Sequence, residues 1–277
     1  MRDRDENRTW IFVAAAAFVV AALAALWWRF GPAKAPPAAP PVIAEAPPPP
    51  APKASAPPAI AHPIESSPAA QDAAAAAQEP NLAAAVTALV GQKLARGMLQ
   101  LDDFPRRIVA TVDNLGRTHA PSRLWPVNPT PGRFQVDKSG AIGADNGLRY
   151  APFVLMVEKL DARQAAALYA RFYPQFQQAY EELGYPKRYF NDRMVQVIDQ
   201  LLLTPEPDEP LRVHLPPIQG PMQPERPWVL YEFDDPALQA LPAGQKLLLR
   251  VGPVNERRLK AKLAEFRKAI ASAQAGR

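Results

Sequence analysis

Residues 10–28 form an unbroken run of 19 residues without a charge, and about fifty residues rich in proline and alanine follow at once. An α-helix rises ~1.5 Å per residue, so a run of this length spans close to the roughly 30 Å hydrocarbon core of a bilayer. Trp10 stands at one end of the run. Trp27, Trp28 and Phe30 stand at the other, where aromatic rings favour the headgroup level. A cleaved leader has a shorter apolar region, about 7–15 residues, and the nearest small-x-small site, Ala33-Lys34-Ala35, puts Pro36 directly after the cut. The sequence therefore predicts one transmembrane helix over 10–28 that anchors the chain in a lipid bilayer, preceded by a short tail over 1–9. Arg2, Arg4 and Arg8 precede the run and only Arg29 and Lys34 follow it closely. That excess of basic residues predicts a cytoplasmic N-terminus, with the rest of the chain on the far side of the bilayer.

Residues 31–80 contain 15 prolines and 18 alanines, including a tetraproline at 47–50. Proline fixes φ and removes a backbone donor, and such a composition offers too little apolar surface to offset ordering entropy. Residues 29–80 are thus expected to be a disordered, extended spacer that holds a folded domain away from the membrane.

Residues 81–277 are long enough for one domain with a real core. The expected fold is mainly α, a single helical domain with a small β element. Leu82, Val86, Leu89, Val90 and Leu94 recur at helical spacing and predict a helix over 82–98. Asp102 reads as the cap of a second helix carrying Phe104, Ile108, Val112 and Leu115, ended by Gly116. Residues 116–150 hold four prolines and five glycines with no sustained period, apart from a short alternating stretch at 133–137 and a turn at Ser139-Gly140. A helix resumes at Pro152. Asp161 caps a longer one through Leu183 with an expected kink at Pro174, and Gly184 ends it. Phe190, Met194, Val197, Ile198, Leu201 and Leu202 mark the next helix. The stretches 211–215 and 228–233 are predicted to pair as a hairpin. Asp235-Pro236 starts a helical turn, 243–251 fits helix or strand, and a last helix follows Gly252-Pro253.

The chain has no cysteine, which excludes disulfides, thiolate metal sites and cysteine nucleophiles. Its three histidines, His62, His119 and His214, show no metal-ligand spacing, and the glycine patterns of nucleotide loops are absent, so neither cofactor nor metal is expected. The formal net charge of +5 is mild, and no nucleic-acid partner is expected. The adjacent carboxylates Asp102/Asp103, Glu181/Glu182 and Asp234/Asp235 point apart on helices and do not meet the needs of acid–base chemistry. Asn191, Asp192 and Arg193 follow Tyr189-Phe190 at a helix start and read as an N-cap with a surface ion pair. Asp113 and Asn114 lie near the end of the second helix, where a carboxylate opposes the helix dipole unless a cation answers it. They are expected to pin the irregular loop through Arg117 or a loop arginine. Arg123, Trp125 and Arg133 are the candidate contact surface, because aromatic and arginine side chains carry most interface energy. For Trp125 a place in the core is the equal alternative.

Several segments resemble an uncharacterised bacterial family. They are Leu101-Asp-Asp-Phe104, Val109-Ala-Thr-Val-Asp-Asn-Leu115, Leu124-Trp-Pro-Val127, Pro131-Gly-Arg-Phe134, the long stretch from Tyr173 to Pro186, Tyr189-Phe-Asn-Asp-Arg193, Tyr231-Glu-Phe233 and Ala243-Gly-Gln-Lys-Leu-Leu-Leu-Arg250. The family is a domain of unknown function found in membrane-anchored proteobacterial proteins. The resemblance covers most of residues 85–270 and implies one domain and a bacterial source, without an activity. Pro105 and Gly116 depart from the pattern, so local geometry is expected to differ there. The resulting expectation is a binding or scaffolding module tethered to the bacterial inner membrane, its C-terminal domain in the periplasm, with an envelope protein or wall polymer as partner. The rival is an envelope hydrolase acting on wall polymer or peptide. It would require two or more of Asp113, Glu158, Asp161, Asp192 and Asp199 to converge in a cleft.

Overall fold

The apolar stripe Phe190, Met194, Val197, Ile198 and Leu201 lies on one face of a helix and is buried along its whole length, which makes that helix the spine of the protein. The computed structural model describes residues 59–73, 81–217 and 224–271. The apolar run 10–28 and most of the expected spacer lie outside the described residues. No described helix is long and apolar enough to cross a membrane.

The described helices are α1 (Pro68–Ala73), α2 (Leu82–Val90), α3 (Gln92–Met98), α4 (Phe104–Leu115), α5 (Asp145–Lys159), α6 (Ala162–Arg171), α7 (Tyr173–Glu182), α8 (Phe190–Leu202), α9 (Pro236–Gln239), α10 (Ala243–Arg250) and α11 (Pro253–Ile270). Two short strands, β1 (Val213–His214) and β2 (Glu232–Phe233), pair antiparallel with Val213 opposite Phe233. The mainly helical fold with one small sheet is as expected. The hairpin forms between the two predicted stretches, and 243–251 resolves to helix.

The main core joins α4, α6, α7, α8 and α11 around Tyr169, Tyr173, Phe176, Tyr180 and Phe190. Phe190 is fully buried. Burial of one such ring contributes about 1.5–3 kcal/mol. A second, smaller core gathers Val213, Phe233 and Leu249 with Phe134, Val136, Tyr231 and Leu238 at the β corner.

Four local expectations are corrected. The helix expected over 82–98 breaks at Gly91, whose φ of 87° lies in the left-handed region that glycine alone enters at little cost. Asp103, not Asp102, precedes α4, and it does so at φ 54° without capping through its side chain. The helix expected through Pro174 is two helices. Phe172 leaves helical geometry and Pro174 sits in the first turn of α7, where its missing N–H costs nothing. The helix expected from Pro152 begins a full seven residues earlier at Asp145, with Pro152 inside it.

The largest difference concerns the spacer. Within residues 59–73, assigned by composition to disordered chain, α1 packs on α6 and α11 and residues 61–64 bind the start of α8. Ile64 and Ala69 belong to the main core.

Candidate functional site

The start of α8 gathers more buried polar contacts than any helix cap needs. Asn191 falls on the buried stripe, three residues before Met194 and seven before Ile198, and is fully buried. Its amide nitrogen donates to the carbonyls of His62 (2.8 Å) and Ile270 (3.0 Å), and its side-chain oxygen accepts from the Tyr169 hydroxyl (3.3 Å). Its backbone N–H donates to the Tyr173 hydroxyl (3.1 Å). Burial raises both tyrosines above the ordinary phenol range, so they remain protonated donors. Asp192 accepts from the backbone N–H groups of Ala61 (3.0 Å) and His62 (2.7 Å), and the Tyr189 hydroxyl accepts from Ile64 N–H (3.0 Å). The expected N-cap is therefore a hub. Asn191 and Asp192 fasten residues 61–64 to the domain, and Tyr189 is the residue that precedes the helix, without capping it by its side chain.

Arg193 turns the opposite way, to Asp113. Its Nε lies 3.1 Å from Asp113 Oδ1 and its Nη2 donates to the Asp113 carbonyl (2.8 Å). Arg117 Nη2 lies 2.7 Å from Asp113 Oδ2, and Tyr185 donates to the same oxygen (3.2 Å). The Asp113 side chain is only 5% exposed, and Arg193 is 18% exposed. Val109, one turn earlier, is buried beside it, so the apolar stripe of α4 carries this carboxylate inward. Gly116 makes room for the pairing, since a Cβ there would lie 2.8 Å from Arg193 Nη2. Two cations thus answer the carboxylate that opposes the α4 dipole.

The Asn114 side chain takes no part in the loop. Its amide donates back to Ala110 within α4 (2.7 Å). The irregular stretch is held instead by Arg107, which donates to the carbonyls of Arg123 (3.0 Å) and Trp125 (3.2 Å), and by Thr111, which donates to Leu124 (3.2 Å). At its far end the buried Asn146 exchanges bonds with both the N–H and the carbonyl of Gln135. Asp137 Oδ1 accepts from Ser139 and Ala141 to close the expected turn at Ser139-Gly140.

Of the three candidate contact residues, Arg123 and Trp125 stay together, since Arg107 donates to the carbonyl of each, and Arg133 has a different partner. Arg123 is exposed and Trp125 half-buried beside Arg107, with the indole N–H buried. Arg133 lies over Trp228, 4.4 Å from the ring centroid. Each of the five carboxylates of the hydrolase reading has its own structural partner. Asp113 has Arg117 and Arg193, and Asp192 has two backbone amides. Asp161 caps α6 through the N–H groups of Arg163 and Gln164, Glu158 lies 3.7 Å from Arg258, and Asp199 pairs with Arg267 (2.9 Å). Among the described residues no three of His, Asp or Glu are grouped to hold a metal ion.

Around Arg133 a second constellation assembles that sequence reasoning did not place. Phe134 packs on Tyr231 (5.7 Å between centroids). Arg250 donates to the Tyr231 carbonyl (2.6 Å) and lies 5.1 Å from the Phe233 ring. Arg149 donates to the carbonyls of Pro131 (3.2 Å) and Gly132 (3.3 Å) and lies 5.3 Å from the Tyr150 ring. Lys246, one turn before Arg250 on α10, donates to the Gln239 carbonyl (3.1 Å). Burial lowers both Lys246 and Arg250 from their ordinary ranges; Glu232 acts the other way on each. The signal for this pair is the i, i+4 spacing of two cations in 243–250, and it is readable only once that segment is known to be helix.

The model of the family described as a protein of unknown function (DUF3014) matches residues 104–267. The chain belongs to the DUF3014 family. No curated protein and no solved structure matches the chain. The DUF3014 match runs from the first residue of α4 nearly to the end of α11 and takes in the Asp113–Arg193 pair, the Tyr189–Asn191–Asp192 hub and the whole β corner. Residues 59–73, α2 and α3 lie before it, so the hub of the DUF3014 region grips a segment outside the family match.

Proposed function

We propose that this DUF3014 chain is a membrane-tethered binding or scaffolding module of the bacterial cell envelope. It is anchored through residues 10–28 in the inner membrane, and its folded domain works in the periplasm on an envelope protein or wall polymer. The observation that carries the reading is the β corner, where Arg133, Arg149, Lys246 and Arg250 meet carbonyls and rings rather than carboxylates. Cations held in place yet left unneutralised are groups ready for a partner, and arginine with tryptophan and tyrosine dominates interface energy. Against this, the carboxylates that a hydrolase would use are each engaged in separate structural contacts. Residues 61–64 dock on α8 through Asn191, Asp192 and the Tyr189 that precedes it.

A photo-crosslinking side chain placed at Val229, which is 65% exposed beside Trp228, tests the binding reading in cells carrying the full chain. The expected result is a discrete adduct that disappears with Arg133→Ala; no adduct under growth conditions where the protein is present contradicts it. A reporter fused after Arg277 that is active only outside the cytoplasm tests the placement, and inactivity there overturns the periplasmic assignment.

A further inference from the structure

We propose that the β corner is a docking site for an acidic peptide segment of a partner protein, one that carries carboxylates interleaved with aliphatic side chains. The inference rests on the binding-module reading above and names the partner's chemistry. Its first ground is charge. Arg133, Arg149 and Arg250 are linked through the strip 131–134, since Arg149 grips the Pro131 and Gly132 carbonyls just before Arg133 and Arg250 holds the carbonyl of Tyr231, whose ring packs on Phe134; Lys246 lies one turn before Arg250. None of the four makes an ion pair with a carboxylate among the described residues; Glu232 is felt by Lys246 and Arg250 without pairing with either. Arg149 gives one hydrogen bond from each of its nitrogens, to Pro131, Asn146 and Gly132, which fixes it while leaving one N–H on each Nη, and fixed guanidinium groups favour carboxylates.

The second ground separates peptide from other anions. Single-stranded nucleic acids and sugars use open aromatic faces as stacking platforms. Here Arg133 lies over the Trp228 ring at 4.4 Å, and the Phe233 ring is buried with Arg250 above it. The rings serve to orient the cations rather than to stack a ligand. The Arg250 guanidinium is also half-buried against the Tyr231 carbonyl and the Phe233 ring, set back from a flat bilayer surface. The third ground is the rim. Val229 and Leu230 are exposed next to Trp228, at 65% and 38%, and offer aliphatic contact to alternate residues of an extended peptide.

The test uses the full-length chain in detergent micelles and a labelled short peptide of alternating Glu and Leu, read by fluorescence anisotropy. The Gln-for-Glu version, vesicles of anionic phospholipid and a single-stranded oligonucleotide are run alongside. The expected result is saturable binding of the Glu peptide. Arg133→Ala and Arg149→Ala, both at side chains outside the buried core, are each expected to weaken it about tenfold, and the Gln peptide to bind at least that much more weakly. Equal binding of the Glu and Gln peptides, or indifference to both arginine variants, overturns the proposal. So does arginine-dependent binding of vesicles or oligonucleotide in place of the peptide. If the Val229 crosslinker captures a partner in cells while the Glu peptide does not bind, the acidic-peptide assignment falls and the binding-module reading stands. If neither occurs, both fall.

Discussion

At the end of α4, Arg117 and Arg193 both close on Asp113, whereas at the β corner Arg133 closes on a ring and Arg250 on a carbonyl. The residue types are alike and both regions lie within the family match. The difference is where the charge goes. Around Asp113 the carboxylate is buried and its cations are consumed in neutralising it, so the cluster fixes how α4 meets α8. Removing one member of such a pair leaves an uncompensated charge, which is why these contacts constrain the fold so strongly. In the corner the cations are oriented but not neutralised, and the fold draws little from their charge. A cluster rich in arginine and aromatics is therefore a sign of function only after its counter-charges have been traced.

That contrast can be broken at several points. The largest expected effect is Asn191→Ala, which strands the carbonyls of His62 and Ile270 and the Tyr169 hydroxyl. Urea denaturation of the full chain should show a loss of about 3 kcal/mol or more. A loss below about 1 kcal/mol would mean that the hub is peripheral. Asp113→Ala leaves Arg193 and Arg117 without their anion. It should lower stability by about 2–3 kcal/mol and speed proteolysis within residues 116–144, because Arg117 anchors the entry to that stretch. An unchanged digestion pattern would sever Asp113 from the loop. Asp192→Ala frees the amides of Ala61 and His62, at a cost of about 1–2 kcal/mol. The sharper readout is new cleavage within residues 59–73, and its absence would show that Asn191 and Tyr189 suffice to hold the segment.

The smallest expected effect depends on pH. Burial pushes the Glu256 carboxyl above the ordinary glutamate range, with Lys260, 3.3 Å away, acting the other way. A folded-state value above the unfolded one means that the group's contribution is complete below about pH 4.3 and is lost as pH rises through the folded value. Glu256→Gln should therefore raise stability at pH 7, by on the order of 0.5 kcal/mol, with the gain vanishing at pH 4. A gain that grows toward low pH would reverse the sign assigned to this group.

The helical body was legible because its stripes are regular. Phe190, Met194, Val197, Ile198 and Leu201 announce one buried face, and the capping residues Asp161 and Asp235 announce where α6 and α9 begin. The two stretches that pair as β1 and β2 were legible from their β-forming residues and flanking prolines. What could not be read is what depends on distant partners. Residues 61–64 dock through backbone N–H and carbonyl groups that any sequence carries, on side chains 125 to 131 residues away, so their proline and alanine content spoke only of a spacer. Asp113 and Arg193 are 80 residues apart, and each alone resembles a surface ion. Asn191 did carry a signal, its place on the apolar stripe of α8, and that place outweighs the capping preference of asparagine. The corner was half legible. Arg133 stood out, but its ring, Trp228, lies across two proline-rich loops, and Trp125 drew attention as the nearer indole.

The division between structural and unneutralised cations is decided by urea denaturation, side by side, of the full-length chain bearing Arg193→Ala or Arg133→Ala. The expected loss is about 2–3 kcal/mol for Arg193→Ala and no more than about 0.5 kcal/mol for Arg133→Ala. Equal losses, or a larger one from Arg133→Ala, would mean that the corner's charge serves the fold and is not held for a partner.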